Sequence, residues 1–227
     1  MNDDGPKDLG GLIGGLDIGK LVNRTDEEWA ANDAKIEADR LAEEARFKER
    51  ERAAIQQRLL AGGAPELIVE GIYGGTFDDG TGAATCLSGF EDDDRRIRIL
   101  SGGVGCGKTW AAVRWLGDHG GLSPMFLRCS AFEAAGRYDK ELRRAWQTCS
   151  ALVLDDLGAE YQDGKGNLMA DLDELFDTYS TRKARLIVTT NIDPTDFKAR
   201  YSARILSRLR ESARWKSSNE ADRRVGK

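Results

Sequence analysis

Eight consecutive residues have the types and spacing of a phosphate-binding loop. They read G-G-V-G-C-G-K-T and fit the pattern G-x-x-x-x-G-K-[ST]. Glycines let the backbone curl so that successive N–H groups point at an anion, and a following helix adds the positive end of its dipole. Lys108 would supply charge for the β and γ phosphates of a nucleotide, and Thr109 a hydroxyl for Mg²⁺. The predicted nucleotide-binding residues are Gly102, Gly103, Val104, Gly105, Cys106, Gly107, Lys108 and Thr109.

Two consecutive carboxylates, Asp155 and Asp156, follow an apolar run in the segment A-L-V-L-D-D-L-G. A buried strand that ends in carboxylates brings them to the sheet edge at which a phosphate-binding loop also lies. Magnesium prefers oxygen ligands of this kind. We therefore expect Asp155 to hold Mg²⁺ and Asp156 to orient or deprotonate an attacking water. An Asp-Asp helix cap or turn is the alternative.

Three further side chains could complete a hydrolytic site. Asn191 directly follows an apolar run, and its amide could hold the lytic water or touch the γ-phosphate, although T-N-x-D alone is only a turn signal. Arg204 and Arg208 lie four residues apart and so share one face of a predicted helix. Such a pair could stabilise transition-state charge in the site of a neighbouring subunit. The alternative is a surface helix with ordinary salt bridges.

From Pro65 onward, short apolar runs alternate with helical patterns. The apolar runs are typical of strands covered on both faces, and they are Ile97–Leu100, Met125–Arg128, Ala151–Leu154 and Arg185–Thr190. The helical patterns between them are Thr109–Leu116, Ala131–Thr148 and Asn167–Lys183. This alternation predicts an α/β fold in which helices flank a mostly parallel sheet, with the ligand at the carboxyl ends of the strands.

The residues before this region divide into two parts. Residues 1–23 are rich in glycine and aspartate without a sustained period, which predicts a flexible leader. Residues 24–60 are predicted to form one long charged helix, because T-D-E-E at its start has capping-box spacing. Its sparse apolar residues hold no heptad, so a partner-binding arm is the preferred interpretation and a solvent-exposed helix is the alternative. Residues 61–227 would then form the ATPase domain.

Composition argues against several other kinds of site. No uncharged apolar run approaches the length of a membrane span, and the first residues lack a secretory signal pattern, so a cytoplasmic protein without membrane contact is expected. The four cysteines form no C-x-x-C pair and His119 is the only histidine, which argues against a zinc site or a disulfide framework. Residues 198–227 carry ten Lys or Arg against three Asp or Glu. That excess predicts either an anionic partner or a solvated helix with a disordered basic tail.

Four motifs taken in order closely resemble the DnaC/IstB group of AAA+ ATPases, which includes helicase loaders and transposition helpers. They are the phosphate-binding loop, L-V-L-D-D-L-G, V-T-T-N and R-I-L-S-R-L, and the resemblance covers roughly Ala61 to Lys227. It implies an AAA+ P-loop NTPase fold with an N-terminal extended helix, little or no lid domain, and a homo-oligomer with composite ATP sites. By the resemblance Asn191 is the sensor residue, and Arg204 and Arg208 divide the arginine-finger and second-sensor roles between them.

Two departures from that group bear on activity and on partners. Asp156 stands where many AAA+ proteins have glutamate, and IstB-like members also have aspartate there. The shorter side chain of aspartate is compatible with slow ATP hydrolysis. The amino-terminal zinc module of some loaders is absent, and the charged helix stands in its place.

The resemblance implies an ATP- and Mg²⁺-dependent DNA-replication accessory protein. The leading hypothesis is a helicase loader that assembles on single-stranded DNA and binds a replicative helicase through the N-terminal helix. A transposition helper with the same core is the alternative. A nucleotide-gated adaptor with little hydrolysis is compatible with Asp156, whereas the Asp pair and Asn191 argue against a small-molecule kinase.

A grip on single-stranded DNA normally needs aromatic stacking platforms beside basic residues. The segment before the acidic strand holds the few candidates, which are Phe132, Tyr138 and Trp146 with Arg137, Lys140, Arg143 and Arg144. Core positions are the favoured interpretation of these aromatics.

Overall fold

The computed structural model describes residues 25–76, 80–135, 139–159 and 167–222. The chain falls into two compact units, of which the first ends at Arg50 and the second begins at Glu51. One long helix, α1, spans Asp26–Ala61 and contributes residues to both. Thr25 and Glu28 form the predicted capping box: the N–H of Glu28 donates to Thr25 Oγ1 at 3.3 Å, and the N–H of Thr25 donates to Glu28 Oε2 at 2.9 Å.

In the first unit, charged side chains pair along α1. Arg40 bonds Glu37 at 2.6 Å, and Lys48 bonds Glu44 at 2.6 Å. These pairs are exposed to solvent, so they contribute little to the stability of the helix. The predicted leader, residues 1–23, lies outside the described residues.

The second unit alternates helices with parallel strands. Its further helices are α2 Glu66–Tyr73, α3 Gly82–Leu87, α4 Lys108–His119, α5 Cys129–Ala135, α6 Lys140–Thr148, α7 Asn167–Thr181, α8 Pro194–Arg200 and α9 Ala203–Ser212. Its strands are β1 Ile97–Gly102, β2 Pro124–Arg128, β3 Ala151–Leu157, β4 Arg185–Thr190 and β5 Ala213–Ser218. They pair in parallel in the order β2-β3-β4-β1-β5, which confirms the predicted fold class. Among the described helices, none is both long and apolar enough to cross a membrane.

Two apolar clusters cover the two faces of this sheet. Alternate residues of a strand point to opposite faces, so neighbouring strand residues enter different clusters. Leu152 and Leu154 of β3 join a cluster with α7 and α9, whereas Val153 joins a cluster with α4 and the end of α1. Leu59 of α1 is fully buried in the second cluster, so the last turns of that helix belong to the core.

The structure differs from the sequence prediction at the end of the chain. Ala213–Ser218 forms β5, which lies beside β1 at the edge of the sheet, and no strand was predicted there. An edge strand needs no continuous apolar run, and of the four residues between the ends of A-R-W-K-S-S only Trp215 is partly buried, while the other three are exposed. The predicted helix Ala131–Thr148 is also wrong as a single element, because α5 ends at Ala135 and α6 begins at Lys140.

A buried ion pair joins β1 to the segment that precedes it. Arg98 donates to Asp93 Oδ2 at 2.9 Å, and the side chains are 3% and 4% exposed. Arg214 of β5 approaches the same oxygen at 3.2 Å. Burial raises the pKa of Asp93, but the N–H of Arg95 and the guanidinium groups of Arg214 and Arg98 outweigh it and hold the pKa below its ordinary value.

We expect Asp93→Ala to lower the free energy of unfolding by about 3–5 kcal/mol, because it leaves Arg98 buried without its partner. Urea denaturation measures this, with the exposed neighbour Asp92→Ala as the control. Since the folded-state pKa of Asp93 is depressed, its contribution is present above the ordinary pKa of aspartate and is lost as the pH falls through the depressed value. The Asp93→Ala variant and the unmodified chain should therefore have similar free energies of unfolding in acid. A difference that persists there would contradict the role of the Asp93–Arg98 ion pair.

Candidate nucleotide-binding site

The predicted phosphate-binding loop connects the end of β1 to the start of α4. Gly105 and Gly107 have φ angles of +76° and +89°, in the left-handed region that favours glycine. Gly107 is the N-cap of α4, so the positive end of the helix dipole lies at the loop. Cys106 is fully buried and Val104 is exposed. The local backbone is therefore that of an anion cradle, as the motif predicts.

The ammonium of Lys108 donates to three oxygen acceptors within the protein and also lies 3.7 Å from Cys106 Sγ. Nζ donates to the carbonyl oxygens of Gly102 at 2.9 Å and Gly103 at 2.7 Å, and to Asn191 Oδ1 at 2.8 Å. The side chain is 8% exposed. An ammonium has three protons, so a bound phosphate must replace at least one of these acceptors.

Thr109 and Asp155 form the other half of the cluster. Thr109 Oγ1 donates to Asp155 Oδ1 at 2.9 Å. Burial raises the pKa of Asp155, and hydrogen bonds from Thr189 and Thr109 offset this in part. A buried carboxylate beside a hydroxyl is a donor set that fits Mg²⁺, which would favour the ionised form.

Mg²⁺ usually binds through one or two carboxylates, waters and phosphate oxygens, so it needs no larger protein cage. No group of three or more His, Cys, Asp or Glu that could hold a metal occurs in the described ranges. The Thr109–Asp155 pair fits a metal site to which a nucleotide would add the other ligands.

Asn191 joins Lys108 to Asp156. Its Nδ2 donates to Asp156 Oδ1 at 3.0 Å, while its Oδ1 accepts from Lys108. Among the described residues, Asp156 is the only non-glycine residue with a positive φ, at +63°. This turn of the backbone lets the Asp156 side chain reach the amide of Asn191, whereas neighbouring side chains of a regular strand point to opposite faces. The structure thus brings Lys108, Thr109, Asp155, Asp156 and Asn191 together.

Thr189 belongs to this cluster and was not predicted from the sequence. Its Oγ1 donates to Asp155 Oδ1 at 2.7 Å and accepts from the N–H of Asp156 at 2.9 Å. The signal that could have found it is weak, because a threonine in a buried strand is common and its partners depend on how β3 and β4 pair.

Arg204 and Arg208 lie on α9, on one face as predicted, and both contact α7. Arg204 Nε lies 2.9 Å from Asp173 Oδ2, and this arginine side chain is 73% exposed. Arg208 bonds both Asp173 and Asp177, the latter at 2.9 Å, and is 22% exposed. The two arginines therefore differ. Within the described ranges Arg208 is paired with two carboxylates, whereas Arg204 is paired with one and is mostly exposed.

The described C-terminal residues return to the phosphate-binding loop. Glu220 Oε1 accepts from the N–H of Gly82 at 2.5 Å. The carboxylate of Asp222 contacts Gly105 so closely that a Cβ there would overlap it. A cavity lies at the first residues of the loop, lined by 101–103, 191–194 and 217–220. Asp222 therefore places a carboxylate next to the loop that the sequence predicts to bind phosphate.

The candidates for stacking on DNA bases occupy other places. Phe132 and Trp146 are buried and contact each other with ring centroids 6.2 Å apart, so the core interpretation is confirmed for both. Arg143 is paired with Glu174, its Nε 3.0 Å from Oε1. Lys140 and Arg144 are exposed on α6. The remaining candidates, Arg137 and Tyr138, lie outside the described residues.

Solved structures share this architecture. The chain is similar to a candidate primosome component from Streptococcus pyogenes serotype M3, at 19% identity and a TM-score of 0.57 over 75% of this chain and 98% of that one. It is similar to the DnaC helicase loader at 18% identity and a TM-score of 0.45, over 67% of this chain and 86% of that one. AMPPCP-bound DnaA from Aquifex aeolicus matches at 18% identity and a TM-score of 0.48, over 60% of this chain and 44% of that one. The chain thus spans less than half the length of that DnaA.

No protein-family model and no curated protein matches the chain. At these identities the likeness to solved structures shows the fold. The sheet order, the loop between β1 and α4, and the acidic end of β3 agree with that fold. The chain therefore has the P-loop NTPase fold that the sequence predicts.

Proposed function

We propose that this chain is an ATP-hydrolysing accessory protein of DNA replication, and that it acts as a helicase loader. The observation that carries the ATPase part is the set of contacts at the carboxyl ends of β1, β3 and β4. Lys108, Asn191 and Asp156 are linked in series, and Asp155 lies beside Thr109. A phosphate ligand, a water-activating carboxylate and a magnesium ligand thereby occupy one cluster, which is the set that hydrolysis of a nucleotide requires.

The substrate would be ATP with its phosphates on the loop Gly102 to Thr109. Thr109 and Asp155 would hold Mg²⁺, which neutralises charge that develops on the phosphates. Lys108 would exchange its bond to Asn191 for phosphate oxygens. Asn191 would then be free to orient water, and Asp156 to accept its proton.

Arg204 is our choice for the arginine finger. A side chain that acts in a neighbouring site must extend beyond the surface of its own subunit and break its ion pairs. Among the described residues, the exposed Arg204 has one such pair to break, whereas Arg208 has two. Arg208 would hold α9 on α7 and thereby position Arg204. This proposal requires a homo-oligomer with composite sites.

The replication role rests on the DnaC/IstB resemblance and is supported by the fold shared with the primosome component. Single-stranded DNA would be held through its phosphates, because the exposed Lys140 and Arg144 offer charge. We assign the helicase contact to α1 and not to the sheet unit.

Exposed apolar residues on α1 support this assignment. Trp29, Ile36 and Phe47 follow one another at intervals of seven and eleven residues, so they share one face of the helix. Leu41 is also exposed but lies about a third of a turn away. The contact face of α1 is therefore defined by Trp29, Ile36 and Phe47.

The test compares the full chain with the double variant Ile36→Glu/Phe47→Glu and with the control Leu41→Glu, which adds charge on another face. Each immobilised protein is incubated with ATP and a lysate of the encoding organism, and bound proteins are identified by mass spectrometry. We expect the full chain and the control to retain a replicative helicase and the double variant to lose it. Point variants are preferable to removal of residues 1–60, because Leu59 is part of the core.

Recovery of a transposase without a helicase would overturn the loader function and favour a transposition helper. Equal loss of helicase in the double variant and in Leu41→Glu would show that the contact face of α1 is not the docking surface.

A further inference from the structure

The pairing of β3 with β4 is irregular at the acidic residues. Leu154 pairs with Val188 and Leu157 pairs with Thr190, so three steps along β3 are matched by two along β4. One extra residue on β3 is characteristic of a β-bulge. A bulge changes the direction of the side chains and interrupts the backbone hydrogen bonds between the two strands, so some backbone groups need other partners. Asp155 and Asp156 therefore both face Thr189.

The hydroxyl of Thr189 hydrogen-bonds both aspartates at this bulge. It accepts from the N–H of Asp156 at 2.9 Å and donates its proton to Asp155 Oδ1 at 2.7 Å. The threonine is buried, so water does not substitute for it easily. The hydroxyl of Thr189 thus fixes the backbone of Asp156 and the orientation of the Asp155 carboxylate.

We propose that Thr189 is a positioning residue that aligns the magnesium ligand Asp155 and the water-activating Asp156 relative to each other. The proposal rests on the proposed ATP and Mg²⁺ site. Groups that hydrogen-bond a metal ligand orient it, and their removal commonly weakens metal binding by about 10–100-fold. Thr189 acts through Asp155 and Asp156 and does not itself touch the substrate.

The neighbouring threonine provides a matched control. Thr190 is equally buried, but its hydroxyl donates to the carbonyl of Leu157 at 2.6 Å and accepts from the N–H of Ile192 at 3.1 Å. Valine keeps the shape of threonine without the hydroxyl, so Thr189→Val and Thr190→Val each remove one buried hydroxyl from the same strand. Only Thr189→Val removes a bond to a carboxylate of the site.

The experiment measures metal binding in the full chain with ATP, using Mn²⁺ as the probe and electron paramagnetic resonance to determine free Mn²⁺. The variants are Thr189→Val, Thr189→Ser and Thr190→Val, and nucleotide affinity is measured separately in EDTA. We expect Thr189→Val to weaken Mn²⁺ binding about 10–100-fold while affinity for metal-free ATP stays unchanged. Thr189→Ser, which keeps the hydroxyl, should restore Mn²⁺ binding, and Thr190→Val should leave it unchanged.

Equal Mn²⁺ affinities in Thr189→Val and the unmodified chain, or equal losses in both valine variants, would overturn the role of Thr189. If Thr189→Val does not fold, Thr189→Ala and Thr189→Ser provide the same comparison of absent and present hydroxyl. An unmodified chain that binds Mn²⁺ with ATP but releases no phosphate would overturn the proposed hydrolysis and leave the role of Thr189 standing.

Discussion

Mixing a Lys108→Ala chain with an Arg204→Ala chain is expected to restore ATPase activity that neither variant has alone. In a composite site the phosphate-binding loop comes from one subunit and the arginine from the next, so a mixed oligomer contains interfaces with both groups intact. With equal amounts and random assembly, about a quarter of the interfaces would be complete. Phosphate release measured across a series of mixing ratios should pass through a maximum near equal amounts.

Arg204→Ala by itself should lower kcat about 10³-fold, the smaller end of the effect of an arginine finger, with ATP affinity unchanged. Arg208→Ala is the comparison for stability, because it removes an arginine from the same helix face but breaks two bonds to α7. We expect Arg208→Ala to lower the melting temperature, whereas Arg204→Ala should not. If mixing restores no activity, the P-loop site is self-contained and the assignment of Arg204 is wrong.

The second large effect is expected from Lys108→Ala on nucleotide binding. Hydrogen bonds to a charged group contribute about 1.5–3 kcal/mol, and about 1.4 kcal/mol corresponds to a factor of ten in affinity. Loss of the ammonium should therefore weaken ATP binding roughly 10- to 100-fold. Titration with a fluorescent ATP analogue measures the change directly.

Lys48→Ala is the control for Lys108→Ala, since Lys48 is an exposed lysine of α1 that pairs with Glu44. It should leave ATP affinity unchanged. Equal affinities in the Lys108→Ala and unmodified chains would show that the ammonium remains on Gly102, Gly103 and Asn191 when nucleotide binds, and would remove Lys108 from the site.

The parts of the site that could be predicted are those whose signal is local. The loop from Gly102 to Thr109 and the pair Asp155 and Asp156 each follow an apolar run, and strand ends in a parallel sheet meet at one edge. Thr189 could not be predicted, because its role arises from a shift in pairing between two strands that are distant in sequence. The partners of Arg204 and Arg208 depend in the same way on the packing of α9 against α7.

In the fold, too, the elements with a local sequence signal were predicted and the others were not. Strands β1 to β4 are nearly continuous in apolar residues and were predicted within a few positions of their observed ends. β5 was missed because three of its four middle side chains are exposed, so its composition resembles that of a surface segment. The start of α1 was predicted because the bonds of a capping box lie between residues three apart.

The left-handed backbone at Asp156 bears on which acid can serve at this position. Aspartate and asparagine enter that region more readily than residues with longer side chains, because their short polar groups bond locally. Many AAA+ proteins carry glutamate after the magnesium aspartate, and in this chain that exchange would strain the bulge while lengthening the reach of the carboxylate. The identity of the proposed base is thus tied to the shape of β3, and a glutamate at this position would require β3 and β4 to be redesigned together.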